Sequence, residues 1–320
     1  MSFNDSFIAM GTINGPAVAT VLAIEGLIGF IANIIVLGIT IYRKKSWKQS
    51  STIIFTSIIL AHLIMIIMFL PLFVIAIGAE EWIFGSDDMQ KRQMCLFLNF
   101  VEWTMKLLIQ IMIAEVSFDR FLFLYKPHHH KKYMRWWVTL TLTTVLWIVA
   151  IILNVLPLFV DDNDFSYIFT YRPCIPRRQV SSYYFLVDLA SYILIYVFIF
   201  ITSVWTLCFT YRFIHNLSEV AGESVYASKK KRLFGIFGSM LLAYFIGFAP
   251  FTIAIIIRSF YGVPIEVFAT TEVTFQMTHI ATPLIQSYFR PEITNTLISF
   301  KAFLRQKIHS ARYDVRNPEI

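Results

Sequence analysis

The stretch "SFDRFLFLYKPHHHKK", Ser117 to Lys132, closes an apolar run that begins near Cys95. An Asp-Arg pair stands there, followed by aromatics, a proline and a cluster of bases. The plainest account is an arginine at a helix end, snorkelling out of an apolar phase into water. Composition says what that phase is. The chain has 320 residues, of which 57% are hydrophobic and 15% charged, with 31 Phe. A soluble domain is nearer 25% charged. A bilayer core demands about 20 consecutive apolar residues per helical span, and several runs here meet it. The runs are continuous and lack the period-2 alternation of a barrel wall, so helices rather than strands are expected. Residues 1–15 lack a basic start and a long apolar core, so the first helix is expected to act as its own targeting signal.

Working outward, seven apolar segments can be read: 17–42, 51–78, 93–125, 134–160, 181–213, 230–260 and 264–288. Several exceed a bare span and should tilt or project into the cytosol. After them, Ile293, Leu297, Phe300 and Leu304 form an apolar stripe with Lys and Arg on the other face. That predicts an amphipathic helix over 289–305 lying on the membrane surface. Residues 1–16 and 306–320 are read as outer and inner tails. The expected fold is thus an all-α seven-transmembrane bundle over 17–288, with a short surface helix after it.

Basic residues crowd alternate loops: Arg43, Lys44, Lys45 and Lys48; then Lys126, Lys131, Lys132 and Arg135; then Arg212 and Lys229 to Arg232. The intervening loops carry Glu80, Glu81, Asp87 and Asp88, and later Asp161, Asp162 and Asp164. The positive-inside rule places the N-terminus outside and the C-terminus inside, in a multi-pass plasma-membrane protein. The net charge of +7 is therefore a topology signal rather than a sign of nucleic acid. Cys95 and Cys174 both fall outside, where thiols commonly pair. Cys208, deep in segment 5, reads as a small buried residue. The sequon at Asn4 lies on the outer tail, where glycosylation is possible.

With these features in hand, the opening stretch resembles the DRY region of rhodopsin-like (class A) G-protein-coupled receptors. The resemblance spans about residues 20 to 305. Asp119-Arg120-Phe121 stands for DRY, 25 residues after Cys95, and Pro127 matches the proline of the following loop. "ANIIV" from Ala32 resembles GNxxV. "SIILAHLIMIIMFLPL", ending at Leu72, follows NLALADLLxxxxxLPL, and "WIFG" from Trp82 follows WxFG. Trp147 and Pro157 keep the segment 4 spacing. "YFIGFAP" resembles FxxCWxP through Pro250, and "TPLIQ" resembles NPxxY through Pro283. The resemblance implies coupling to a heterotrimeric G protein through Asp119, Arg120 and Phe121, with Pro127, Pro250 and Pro283 shaping the moving parts. An extracellular ligand is the other implied partner.

The departures are specific. His62 replaces the sodium-binding aspartate, with Ile109, Thr278 and Thr282 at the partner positions; a hard cation prefers several oxygens, anionic ones first. Phe248 replaces a tryptophan, Gly247 a cysteine and Gln286 a tyrosine. Lys230 stands where many relatives carry an acid paired to the DRY arginine. Altered basal activity is the expected result.

Charges inside a span are costly and mark function by default. Glu102, Lys106 and Gln110 recur at i, i+4 and i+8 on segment 3, and Glu272 and Gln276 at i, i+4 on segment 7. Glu102 lies seven residues after Cys95, the depth of the ligand-binding Asp in amine receptors of this family. With Asp188, Trp103, Phe248 and Phe251 they outline an outer cavity for a polar small molecule or short peptide. The rival reading is a Glu102–Lys106 salt bridge that only holds the bundle. The triplet His128-His129-His130 reads as a basic, lipid-facing loop rather than a metal site, because consecutive residues point apart. No catalytic or phosphate-binding motif occurs, and neither enzyme activity, metal nor cofactor is expected. Gln276 occupies the retinal-lysine position, which argues against an opsin. The absence of an internal repeat argues against a transporter. A receptor-like protein with lost or atypical coupling remains the alternative.

Overall fold

The computed structural model describes residues 13–43, 47–155, 165–168, 175–178, 190–191, 193–206, 208–209, 225–258, 261 and 263–316. Segment 1 is the helix Gly15–Tyr42, opened by the Asn14 side chain accepting from the Ala17 N–H. Its buried residues recur every three or four positions, from Ala19 and Leu22 to Asn33, Val36 and Thr40. Ile24, Leu27, Ile28, Ile31, Ile34 and Ile35 on the other faces are exposed. Apolar faces turned outward on a helix this long suit lipid rather than water.

Segment 2 spans Ser50–Ala79. Pro71 has no N–H to offer and crowds the preceding turn. The helix absorbs this with one π-helical turn, Met65–Phe69, just before it. The following loop buries Trp82 edge-on to Phe84. Gly85 sits at φ 118, and a Cβ there would collide with the Lys91 backbone, so the last residue of "WIFG" has to be glycine.

Segment 3, Asp88–Tyr125, is the longest helix among the described residues and starts on an Asp87 cap to the Gln90 N–H. Its face from Leu98 through Leu108 to Val116 is buried, with segments 2 and 4 packed against the helix. Segment 4, Trp136–Val155, is tied to segment 2 by Trp147 Nε1 donating to Ser57 Oγ at 2.6 Å. Beyond it, Phe165–Ile168 pairs antiparallel with Ile175–Arg178, a hairpin that the all-helical expectation did not include. Pro157 lies outside the described residues.

Segment 5 is described over Ile193–Thr206, and Tyr196 bonds Thr252 of segment 6 at 2.7 Å. Cys208 is exposed and free, so its expected burial is corrected. Segment 6, Val225–Arg258, carries Pro250 within it. Segment 7 is two helices, Ile265–Gln276 and Thr278–Phe289, interrupted at Met277 rather than one run. Thr278 Oγ1 donates to the Phe275 carbonyl at 2.7 Å. Opposite this break, a Cβ on Gly247 would overlap the Thr278 methyl.

The final helix is Pro291–Arg316, which runs on to Arg316 where the sequence stripe suggested an end at 305. Ile293 is buried against Val36, Ile59 and Leu63, which anchors its first turn. Arg43 reaches Thr296 from the end of segment 1.

Candidate ligand and coupling sites

Polar residues of segments 3 and 7 meet around one side chain. Lys106 Nζ lies 2.7 Å from Glu102 Oε1 and 3.0 Å from Glu272 Oε2. Gln276 Nε2 donates to the other Glu272 oxygen at 3.1 Å. The Lys106 ammonium also stands 4.0 Å from the Phe251 ring centre and 4.5 Å from that of Phe275. It is 1% exposed. The i, i+4 spacing on segment 3 supplies the first contact and the packing of segment 7 the second. Two carboxylates and two ring faces are what an ammonium needs when it leaves water, since a lone buried charge is very costly.

Around this centre, Trp103 lies 6.1 Å from Phe251 between ring centres. Phe248 stacks on Tyr244 at 4.9 Å and meets Phe275 edge-on. Gln110 is buried one turn deeper, and its Oε1 has no hydrogen-bond partner among the described residues. Asp188 and Cys174 lie outside the described residues, as does Asn4; Cys95 is disulfide-bonded. Phe275 was missed in sequence, although it follows Glu272 by three residues and so shares its face.

At mid-bundle His62 and His279 face each other, Nδ1 to Nδ1, at 2.5 Å. One ring must donate and the other accept, so the two hold opposite tautomers. Asn33 donates to the His279 carbonyl at 2.8 Å, linking segments 1, 2 and 7. Two imidazoles bonded to each other do not fit sodium, which the family's aspartate would bind. His279 was not singled out in sequence.

At the C-terminal end of segment 3, Arg120 Nη2 lies 3.1 Å from Asp119 Oδ2. Asp119 Oδ1 accepts from Ser50 at 3.0 Å and pairs with His130 Nε2 at 2.9 Å. Here the reading of the histidine triplet as a lipid-facing loop is corrected. Residues Pro127–Tyr133 form a helix with Pro127 in its first turn, where its missing N–H costs nothing. That helix returns His130 beneath segment 3 while His128 and His129 stay exposed. The signal was the spacing from Pro127: a fourth residue in a helix comes back to the starting side. Phe121 stacks on Tyr125 and meets Trp205 edge-on. Gln286 accepts from Arg290 at 3.3 Å, and Arg290 also reaches Thr52. Pro283 lies inside the inner half of segment 7. The side chain of Lys230 lies outside the described residues.

Comparison with known proteins agrees with this architecture. No curated protein matches the chain significantly. The family model described as 7 transmembrane receptor (rhodopsin family) matches residues 32–291, from the asparagine motif of segment 1 to the start of the surface helix. That match covers most of the chain, and the chain belongs to the rhodopsin family of seven-transmembrane receptors.

Proposed function

We propose that this receptor sits in the plasma membrane with its N-terminus outside, binds an extracellular polar small molecule or short peptide, and activates a heterotrimeric G protein. The basic inner loops support the orientation. The cluster of Glu102, Lys106, Glu272 and Gln276 with Trp103, Phe248 and Phe251 supports the ligand site. The observation that carries the coupling reading is the buried Asp119–Arg120 pair, held by Ser50 and His130 at the inner end of segment 3.

In this mechanism the ligand favours a minor state of the bundle by binding it more tightly. Segment 6 bends at Pro250, where one backbone hydrogen bond is missing, and its inner half moves outward. Arg120 leaves Asp119 and lines a cleft for the G protein. The test is guanine-nucleotide exchange on a panel of G proteins, with Arg120→Ala as the control. Exchange above the control supports coupling. Rates that match the control for every G protein, over a broad ligand panel, favour a receptor that has lost coupling.

A further inference from the structure

Glu115 is a buried acid on segment 3 that the coupling scheme leaves unused. It is 5% exposed and lies one helical turn before Asp119. Its hydrogen-bond partner among the described residues is Thr143 of segment 4, whose Oγ1 stands 3.1 Å from one carboxyl oxygen and 3.2 Å from the other. A hydroxyl has a single proton to donate, so it can serve one of these oxygens and not both. The near-equal distances fit a neutral carboxyl, which donates its own O–H to Oγ1 and accepts the Thr143 proton on its carbonyl. Both contacts exceed the usual O–H···O length of about 2.7–2.8 Å, as bent bonds closing a small ring do. An ionised Glu115 would instead be a buried charge with one shared neutral donor. No cation pairs with it among the described residues. Segment 4, Trp136–Val155, contains no titratable side chain. Segment 2 contains only His62, which is bonded to His279, and segment 5 over Ile193–Thr206 only Tyr196, which bonds Thr252. On segment 3 the charged neighbours are Asp119, of the same sign, and Arg120, which Asp119 holds.

The same seam offers a proton a way out. Segments 3 and 4 run in opposite directions, so Thr139, one turn before Thr143, comes beside Asp119, one turn after Glu115. Thr139 is wholly buried, and its Oγ1 has no hydrogen-bond partner among the described residues. A buried hydroxyl of that kind takes a water, and hydroxyl and water both donate and accept. Asp119 then meets His130 at 2.9 Å, and the His130 side chain is 17% exposed. We propose that Glu115 is a proton-binding site, that its proton exchanges with the aqueous phase by way of Thr143, Thr139, Asp119 and His130, and that its occupancy sets the charge behind Arg120. With the proton bound, Asp119 is the anion that holds Arg120. With the proton released to water, a second carboxylate stands one turn away and adds to that attraction. The resting pair is thus held more tightly at alkaline pH. This last step rests on the reading of Arg120 as the coupling residue; the proton site does not.

Infrared difference spectroscopy of the purified full-length receptor reads the proton directly, because only a protonated carboxyl has the C=O stretch of an acid. Wild type is expected to show such a band at neutral pH that Glu115→Gln lacks and that disappears reversibly as the pH is raised. Thr143→Val deletes the hydroxyl and should shift the band, which assigns it even if Glu115→Gln does not fold. Basal nucleotide exchange then tests the link to Arg120. The ratio of Glu115→Gln to wild type should rise several-fold from neutral to alkaline pH, since Gln cannot acquire the charge. His130 is present in both proteins, so its effect cancels in that ratio. If wild type and both variants show the same acid band at neutral pH, the proton site is overturned. A band that persists at every pH where the receptor stays folded overturns exchange with water. A flat ratio, with both rates above that of Arg120→Ala, overturns the effect on Arg120. If both rates match Arg120→Ala while the band titrates, the coupling reading fails and the proton site stands.

Discussion

Replacing Asp119 by Asn should raise ligand-independent signalling, and the structure sets how far. Asp119 binds three groups: Arg120 at 3.1 Å, Ser50 at 3.0 Å and His130 at 2.9 Å. It is almost wholly buried, so these bonds are little screened. A hydrogen bond to a charged group contributes about 1.5–3 kcal/mol. Asn keeps one acceptor oxygen but loses the charge and the second acceptor. The resting arrangement therefore loses the equivalent of one such bond, about 1.5–3 kcal/mol. If Arg120 leaves Asp119 on activation, that loss falls on the resting state alone. At 1.36 kcal/mol per decade, the active-to-resting ratio rises roughly 10- to 100-fold. Basal nucleotide exchange, normalised to surface receptor, reads it directly. Ser50→Ala removes one neutral donor and should give a smaller rise, and His130→Ala a rise between the two. The reasoning is refuted if Asp119→Asn reaches the surface normally yet leaves basal exchange unchanged, or if the three variants do not follow that order.

Trp147→Phe keeps most of the ring volume but deletes the 2.6 Å bond to Ser57, and should cost about 1 kcal/mol, read as a fall of a few degrees in melting temperature. Gly247→Ala puts a methyl into the Thr278 side chain and should destabilise by about 1–3 kcal/mol. Thr278→Ser, which removes the obstructing methyl but keeps the hydroxyl, should recover most of that loss in the double variant. His62→Leu leaves His279 without its buried partner and should lose about 1–3 kcal/mol, whereas His62→Leu with His279→Leu should lose less than the two single changes summed. Replacing sodium by choline should leave wild-type melting unmoved; a stabilisation by sodium would show that the paired imidazoles part to admit it.

Much of this was legible because membrane helices write their length and facing plainly. Continuous apolar runs located the segments, and the Cys95-to-Arg120 spacing fixed the register of segment 3. Local periodicity also placed Glu102 beside Lys106 and Glu272 beside Gln276. What it could not supply was which helix face meets which. Glu272 reaches Lys106 across 166 positions of sequence, and His62 reaches His279 across 217. The break at Met277 was hidden because no proline or glycine marks it: Met277 keeps helical dihedrals, and its N–H still bonds the Val273 carbonyl. Cys208 was misplaced because an apolar run carries no information about which of its faces is turned to lipid. His130 was missed because three identical residues conceal a helical period that only the following structure reveals.

The departures from the family pattern become intelligible when taken as pairs. Read singly, His62, Gly247 and Gln286 each remove a familiar function. In three dimensions each has a partner of its own. His62 bonds His279. Gly247 leaves the space into which the Thr278 methyl projects. Gln286 accepts from Arg290, which continues to Thr52 on segment 2. All three pairs involve segment 7 or its immediate continuation, and they lie at successive depths below the Lys106–Glu272 contact. The break at Met277 divides that element between the outer contact and the deeper ones. Its outer half is held to segment 3 by charge, and its inner half to segments 1 and 2 by neutral hydrogen bonds. Reverting Gly247 to the family's cysteine should disrupt this receptor, because the added Cβ would meet the Thr278 methyl.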